Sequence, residues 1–148
     1  VETLHPPSAR PIIAWSDVLI VGHEQIDADH HRIFEIAGRL HAGIHQAHEN
    51  MLVRQVLAEL TDYTLTHFAR EEALMKTAAF PGLEEHRFEH ELITYRLRNL
   101  QRQAGSGRQG LADELEIFLD RWLARHILTS DAHIAAALRG KQPPSPLA

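Results

Sequence analysis

Seven side chains able to bind metal fall at helical spacings along this chain: His30, then His67 and Glu71, then His86 and His90, then His126 and Asp131. Each group occupies the apolar stripe of a different expected helix, at positions where leucine or isoleucine would ordinarily sit. Twelve histidines in 148 residues is heavy usage. Burying five of them without partners would cost several kcal/mol apiece, and metal ions satisfy such groups best. Five imidazoles and two carboxylates exceed what one ion with an open position can use, so the set reads as a two-metal site with bridging carboxylates. Imidazole plus carboxylate suits iron, manganese or zinc, and oxygen chemistry favours iron.

Spacing refines this. His67/Glu71 and His86/His90 are i, i+4 pairs, one turn apart on one helix face. His126 to Asp131 is five residues, which overshoots the face by about 140° on ideal α-helical geometry. Either Asp131 reaches in from the flank or a local π-bulge realigns it. The ferritin-like pattern of Glu-x-x-His on two helices is met only once, at Glu2 to His5. The site is therefore histidine-rich, and its low anionic charge favours the ferrous state and reversible binding over aggressive oxidation.

The elements that must position these groups are four helices. Residues 1–22, with Pro6, Pro7 and Pro11, read as an extended arm packed on the bundle through Ile12, Ile13, Trp15 and Val18. The period Ile26, His30, Ile33, Ala37, Leu40, Ile44 predicts a first helix ending near Ala47, with Asn50 placed to cap the second. That second helix runs from about Met51 to Thr77, along Val53, Leu57, Leu60, Thr64, His67, Glu71 and Leu74. Pro81 and Gly82 break the chain. The third helix carries Leu83, His86, His90, Ile93, Leu97 and Leu100 and stops before Gly105. The fourth begins near Leu111, presents Leu115, Leu119, Trp122, His126, Asp131, Ile134 and Leu138, and ends by Gly140. Residues 23–140 form the bundle, and 141–148 a flexible Pro-rich tail. Short connections favour an all-α, up-down-up-down antiparallel four-helix bundle. In that topology the start of one helix, the end of the next, and so on, share one end of the molecule. All seven groups converge there.

Composition excludes several other chemistries. No cysteine means no disulfide, thiol catalysis or iron–sulfur cluster. A net charge of -5 with scattered arginines (Arg39, Arg54, Arg70, Arg87, Arg96, Arg98) argues against a nucleic-acid partner. No apolar run is long enough for a membrane helix and no secretory signal is visible, so a cytoplasmic monomer is the expectation.

The segments Gly22–Phe34 (GHEQIDADHHRIF), His67-Phe-Ala-Arg-Glu71-Glu, Phe80-Pro81 followed by His86-x-x-x-His90, and Trp122-Leu-x-x-His126-Ile-x-x-x-Asp131 resemble the hemerythrin family, specifically the bacterial hemerythrins. The resemblance spans about Trp15 to Leu138. It implies two iron ions per chain with an oxo or hydroxo bridge: His86, His90 and His126 on one, His30 and His67 on the other, and Glu71 and Asp131 bridging both. It also implies an open position for dioxygen on the second iron, in a dry pocket. Leu123, one turn before His126, is the expected pocket wall, with Trp15, Phe34 and Trp122 as further candidates. Asp29 stands where the family commonly has Gln, and Phe80 replaces the usual Tyr; neither removes a ligand.

Other residues read as ordinary. His31 points about 100° away from His30. His41, His45 and His48 lie at the far end of the first helix, opposite Val53, Leu57, Leu97, Leu100 and Leu115, and read as solvent-facing. His5, His23 and His133 read as peripheral. Glu72, Glu84, Glu85, Glu89 and Glu91 read as solvated helix faces, and Phe68 and Met75 as packing. The leading function is reversible dioxygen binding by a carrier, store or scavenger. The alternatives are oxygen, redox or nitric oxide sensing for a signalling partner, then oxidase, peroxidase or nitric oxide reductase activity.

Overall fold

The computed structural model describes residues 20–44 and 46–138, without the side chains of 122–124. The expected arm up to residue 19, the tail, His5, Trp15 and His45 lie outside the described residues, as do the Trp122 and Leu123 side chains. Helix α1 spans Glu24–Gly43, α2 Glu49–Thr77 and α3 Leu83–Gly105. A fourth rod joins α4 (Leu111–Phe118), a π-helical stretch Leu119–Ala124, a second π-helical stretch Ile127–Asp131 and α5 (Ala132–Leu138). There is no strand among the described residues. Side chains from the start of α1, the end of α2, the start of α3 and the second half of the fourth rod touch one another. Consecutive rods therefore run antiparallel, as the up-down-up-down expectation requires.

Local chemistry explains most boundaries. Before α1, Asp27 accepts the backbone N–H groups of Val21 (2.8 Å) and Gly22 (3.1 Å), while His23 Nδ1 accepts from Ile26 N–H. Two amides at the helix entrance are thereby satisfied by one carboxylate. At the end of α2, Phe80 N–H bonds the Met75 carbonyl and Ala79 N–H the Lys76 carbonyl, with Ala79 left-handed at φ 51°. This is a Schellman closure, and Pro81 then forbids further helix. The same closure ends α3, through Gly107 at φ 84°.

The α1–α2 connection departs from expectation. Helix α1 stops at Gly43, not near Ala47, because Ile44 turns extended (ψ 136°). Gly43 lies so close to Leu52 that a Cβ there would collide with it. Left-handed His48 opens α2, and Asn50 lies inside the helix rather than capping it. The tight crossover of Gly43 and Leu52 sets this boundary, and local polarity does not reveal it.

The apolar core falls into two clusters. The larger holds Ile33, Leu40, Leu57, Leu60, Leu97, Leu100 and Leu115, with Phe34, Phe68 and Ile127 at its site-facing end. Each such side chain, fully buried, contributes about 1.5–3 kcal/mol. The smaller cluster holds Val21, Ile26, Met75, Ile134 and Ala135. Between them lies a layer of polar residues. His30 sits between Ile26 and Ile33 along α1, Glu71 between Phe68 and Met75, and Asp131 between Ile127 and Ile134.

Candidate metal centre

All seven expected residues are buried, none more than 6% exposed. They form two donor groups whose ligand atoms lie within 4.8 Å of one another: Glu71, His86, His90, His126 and Asp131; and His30, His67, Glu71 and Asp131. Glu71 and Asp131 belong to both. Their individual oxygens divide between the sides. Asp131 Oδ1 lies 3.2 Å from His86 Nε2 and 3.1 Å from His126 Nε2, while Oδ2 lies 2.9 Å from His30 Nε2 and 3.9 Å from His67 Nε2. Glu71 Oε1 contacts His86 Nε2 and sits 3.2 Å from His90 Nε2; its Oε2 sits 3.2 Å from His67 Nε2. Between them the two carboxylates turn one oxygen each toward His86, His90 and His126 and the other toward His30 and His67. That is how a carboxylate spans two cations.

The π-helical stretch Ile127–Asp131 resolves the awkward spacing between His126 and Asp131. With i→i+5 hydrogen bonding, residues five apart become neighbours. The i, i+4 pairs on α2 and α3 need no such device.

Hydrogen-bond bookkeeping supports a metal. Among the described residues, the buried side-chain atoms without hydrogen-bond partners include His30 Nδ1, His67 Nε2, Glu71 Oε2, His90 Nε2, His126 Nε2 and Asp131 Oδ1. One such atom costs about 1–3 kcal/mol; His30 Nδ1 lies on the far side of its ring from Asp131, and the other five face one another and need a common partner. Nitrogen and oxygen donors without thiolate fit iron, manganese or zinc.

Three carboxylates hold these imidazoles from behind. Asp29 Oδ2 accepts from His67 Nδ1 at 2.9 Å, Glu72 Oε1 from His90 Nδ1 at 3.2 Å, and Glu89 Oε2 from His126 Nδ1 at 2.6 Å. Each bond fixes a tautomer in which Nε2 is the free donor toward the centre. Asp29 also accepts from Gln25 (3.0 Å), Tyr63 (3.2 Å) and Arg70 (3.1 Å), and Glu89 accepts from Ser130 (2.6 Å). Phe68 stacks on His90 at 3.7 Å between ring centroids, steadying it.

The domain model described as "Hemerythrin HHE cation binding domain" matches residues 21–138. The chain belongs to the hemerythrin family. A bacteriohemerythrin of Pseudomonas aeruginosa is 38% identical over 127 residues, covering 86% of this chain and 82% of that one. The Ralstonia nicotianae bacteriohemerythrin is 31% identical over 133 residues, covering 90% and 93%. The myohemerythrin of Riftia pachyptila is 29% identical over 113 residues, covering 76% and 82%. A crystal structure of a hemerythrin point mutant superposes with a TM-score of 0.78 at 22% identity, covering 86% of this chain and 98% of that one, so the fold is shared.

Within this hemerythrin fold the outer carboxylates are where sequence reasoning fell short. Glu72 and Glu89 were expected on solvated faces, yet both reach ligand-position histidines. Arg70, expected on the surface, ends on Asp29. The available signal was register: Glu72 follows Glu71, and Glu89 precedes His90. Of the histidines read as peripheral or solvent-facing, His23 is half-buried and caps α1, while four others are exposed. His31 is exposed and pairs with Glu35 at 3.2 Å, His41 is exposed and contacts Glu116, and His48 and His133 are exposed. Phe34 is buried in the main core, one turn from His30.

Electrostatics follow from burial set against pairing. Burial alone would raise the Glu71 carboxyl, as would Asp131 beside it. The imidazoles of His67, His86 and His90 close beside it outweigh both and hold it at about 2. Asp131 is likewise driven well below the usual range against burial, by His126, His30, His67 and His86. Burial would lower His86, but Asp131 and Glu71 raise it to about 9. His67 and His126 are raised for the same reason, against burial. In the metal-free protein this layer is a lattice of ion pairs that cations must displace.

Proposed function

We propose that this hemerythrin-family chain binds dioxygen reversibly at a pair of iron ions. His86, His90 and His126 would hold one ion, His30 and His67 the other, with Glu71 and Asp131 across both. The observation that carries this reading is the division of the two carboxylates' oxygens between three histidines and two. When bound, the iron pair would supply the two electrons that dioxygen takes up, and the side with fewer protein donors, His30 and His67, would be where dioxygen is admitted.

The chain's own residues do the rest. Asp29, Glu72 and Glu89 keep Nδ1 protonated on three histidines and orient their rings. Ile33, Phe34, Phe68 and Ile127 on one side, and Ile26, Met75 and Ile134 on the other, exclude water from the layer. A dry site would limit protons from solvent and so slow irreversible oxidation of the iron pair by dioxygen. Leu123 as a pocket wall belongs to the same proposal, as do a soluble cytoplasmic monomer and an arm that packs on the bundle. No helix among the described residues is long and apolar enough to cross a membrane.

The test is anaerobic loading with ferrous iron, metal counting, and admission of oxygen while the optical spectrum is followed. Two irons per chain and a visible band that disappears when oxygen is removed are expected. One metal per chain, or no oxygen-dependent change, overturns the proposal. Rapid irreversible oxidation would favour sensing or oxidase chemistry at the same residues.

A further inference from the structure

Seven large hydrophobic side chains are exposed among the described residues, three of them on α3 and two on the fourth rod, and Leu92 and Leu128 face each other across one groove while Tyr95 lines the groove on the α2 side. Phe88, Leu92 and Tyr95 stand at i, i+4 and i+7 along α3 and are 59%, 44% and 68% exposed. Ile117 and Leu128 stand on the fourth rod, 52% and 39% exposed. Spacing of three and four places the α3 residues in one row. Between the two rods runs an open groove of about 760 Å³, with Leu92 on one wall and Leu128 on the other. Isolated exposed apolar residues need no explanation; a row beside a groove marks an interaction site.

The charges of this groove select its occupant. Arg121 and Arg125 line it and have no carboxylate partner among the described residues. Elsewhere the arginines are mostly paired: Arg32 with Glu35, Arg39 with Glu59, Arg70 with Asp29, Arg96 with Glu114. The two acids at the groove balance the two cations in net charge, but among the described residues neither forms an ion pair with Arg121 or Arg125. Glu89 is committed to His126 and Ser130, and Asp120 is already engaged. The floor includes the edge of His126 itself.

We infer that the face between α3 and the fourth rod docks an acidic amphipathic helix of a partner protein. Its apolar residues would lie against Phe88, Leu92 and Leu128, and its carboxylates against Arg121 and Arg125. A helix laid in a groove uses this pattern of apolar anchors at three- and four-residue spacing with a charged flank. The docked helix covers Glu89, so it touches the support of His126 without entering the ligand layer. This inference does not depend on which metal, or whether any metal, occupies the centre.

The probe is a synthetic sixteen-residue helical peptide with leucines on one face and glutamates flanking them. A control peptide carries lysines in place of the glutamates. Both are titrated into the full chain, labelled with nitrogen-15 for backbone shift mapping. Expected is saturable binding of the acidic peptide with shifts concentrated at residues 88–95 and 117–130. Affinity should fall as salt rises and fall about tenfold or more in R121E/R125E and in L92D. Leu92, Arg121 and Arg125 are exposed, so these variants should keep the helical circular dichroism of the parent. Equal binding of the lysine peptide, or shifts elsewhere, overturns the inference. So does binding of neither peptide, which would mean the chain's own residues cover the groove. Concentration-dependent dimerisation abolished by L92D would make the occupant a second copy, and overturns it too.

Discussion

Asp29 Oδ2 lies 2.9 Å from Nδ1 of His67, at the back of a ring whose Nε2 faces the two shared carboxylates. Its other oxygen accepts from Tyr63 and Arg70, so the aspartate is itself held. Replacing it with asparagine keeps the shape and removes the charge. Asp29→Asn should lower metal affinity on the two-histidine side by about 10- to 100-fold, the range for outer partners of ligating histidines. The three-histidine side should stay filled. Calorimetric metal titration reads this directly; equal weakening of both sites would refute it.

The shared carboxylates make a sharper stoichiometric forecast. Asp131→Ala should lose both metals, because its two oxygens serve both groups. His126→Ala should lose one, and His41→Ala, altering an exposed histidine, none. Metal per chain after desalting decides among these. An Asp131→Ala protein that still holds one tightly bound metal would contradict the bridging geometry.

Acidity should act in opposite directions on the empty and filled protein. In the metal-free chain His86 sits at about 9 against an ordinary 6.5, so its contribution is full below 6.5 and lost as pH rises through 9. Glu71 sits at about 2 against 4.5, so its contribution is present above 4.5 and lost as pH falls through 2. The metal-free melting temperature should therefore peak between pH 4.5 and 6.5 and decline toward 9. The loaded protein should instead gain stability as pH rises from 5 to about 8, since protons then cease to compete for imidazole. Melting curves across that range check both; parallel profiles would refute the forecast.

Removing one residue from the π-helical stretch should be tolerated. Deleting Thr129 converts five-residue spacing into four-residue spacing, which an ordinary α-helix keeps on one face. Metal content should persist. Inserting one alanine beside Thr129 should swing Asp131 by about 100° and empty the centre. Metal content of the two variants separates the outcomes, and loss in both would mean that the π geometry itself is required.

The residues of the buried polar layer were legible because they break an otherwise apolar period, as His67 and Glu71 do after Leu57, Leu60 and Thr64. Their convergence was legible because alternating helix directions follow from short connections. The outer carboxylates were not, since a glutamate such as Glu89 looks the same on a solvated face as it does behind His126. Only the approach of a neighbouring rod separates the two cases. The end of α1 was misread for a similar reason. Leu52 crossing Gly43 is a tertiary contact, and the polar residues at 48–50 offered a more obvious but incorrect stop. The π-helical stretch lay between: five-residue spacing demanded either it or a reach from the flank.

The ligand layer separates a large apolar cluster from a small one, so the end of the molecule carrying Val21, Ile26, Met75 and Ile134 is fastened to the rest largely through polar groups. A metal held in this layer would then be a rivet as well as a reagent. A chain that never acquires it should carry a loosened end, cut by proteases near residues 75 and 134 before the main core yields. Intact metal-free chain, with no preference for those sites, would count against this. In a cell the lifetime of the polypeptide would then track the supply of that metal, and copies made in scarcity would be the first to be recycled.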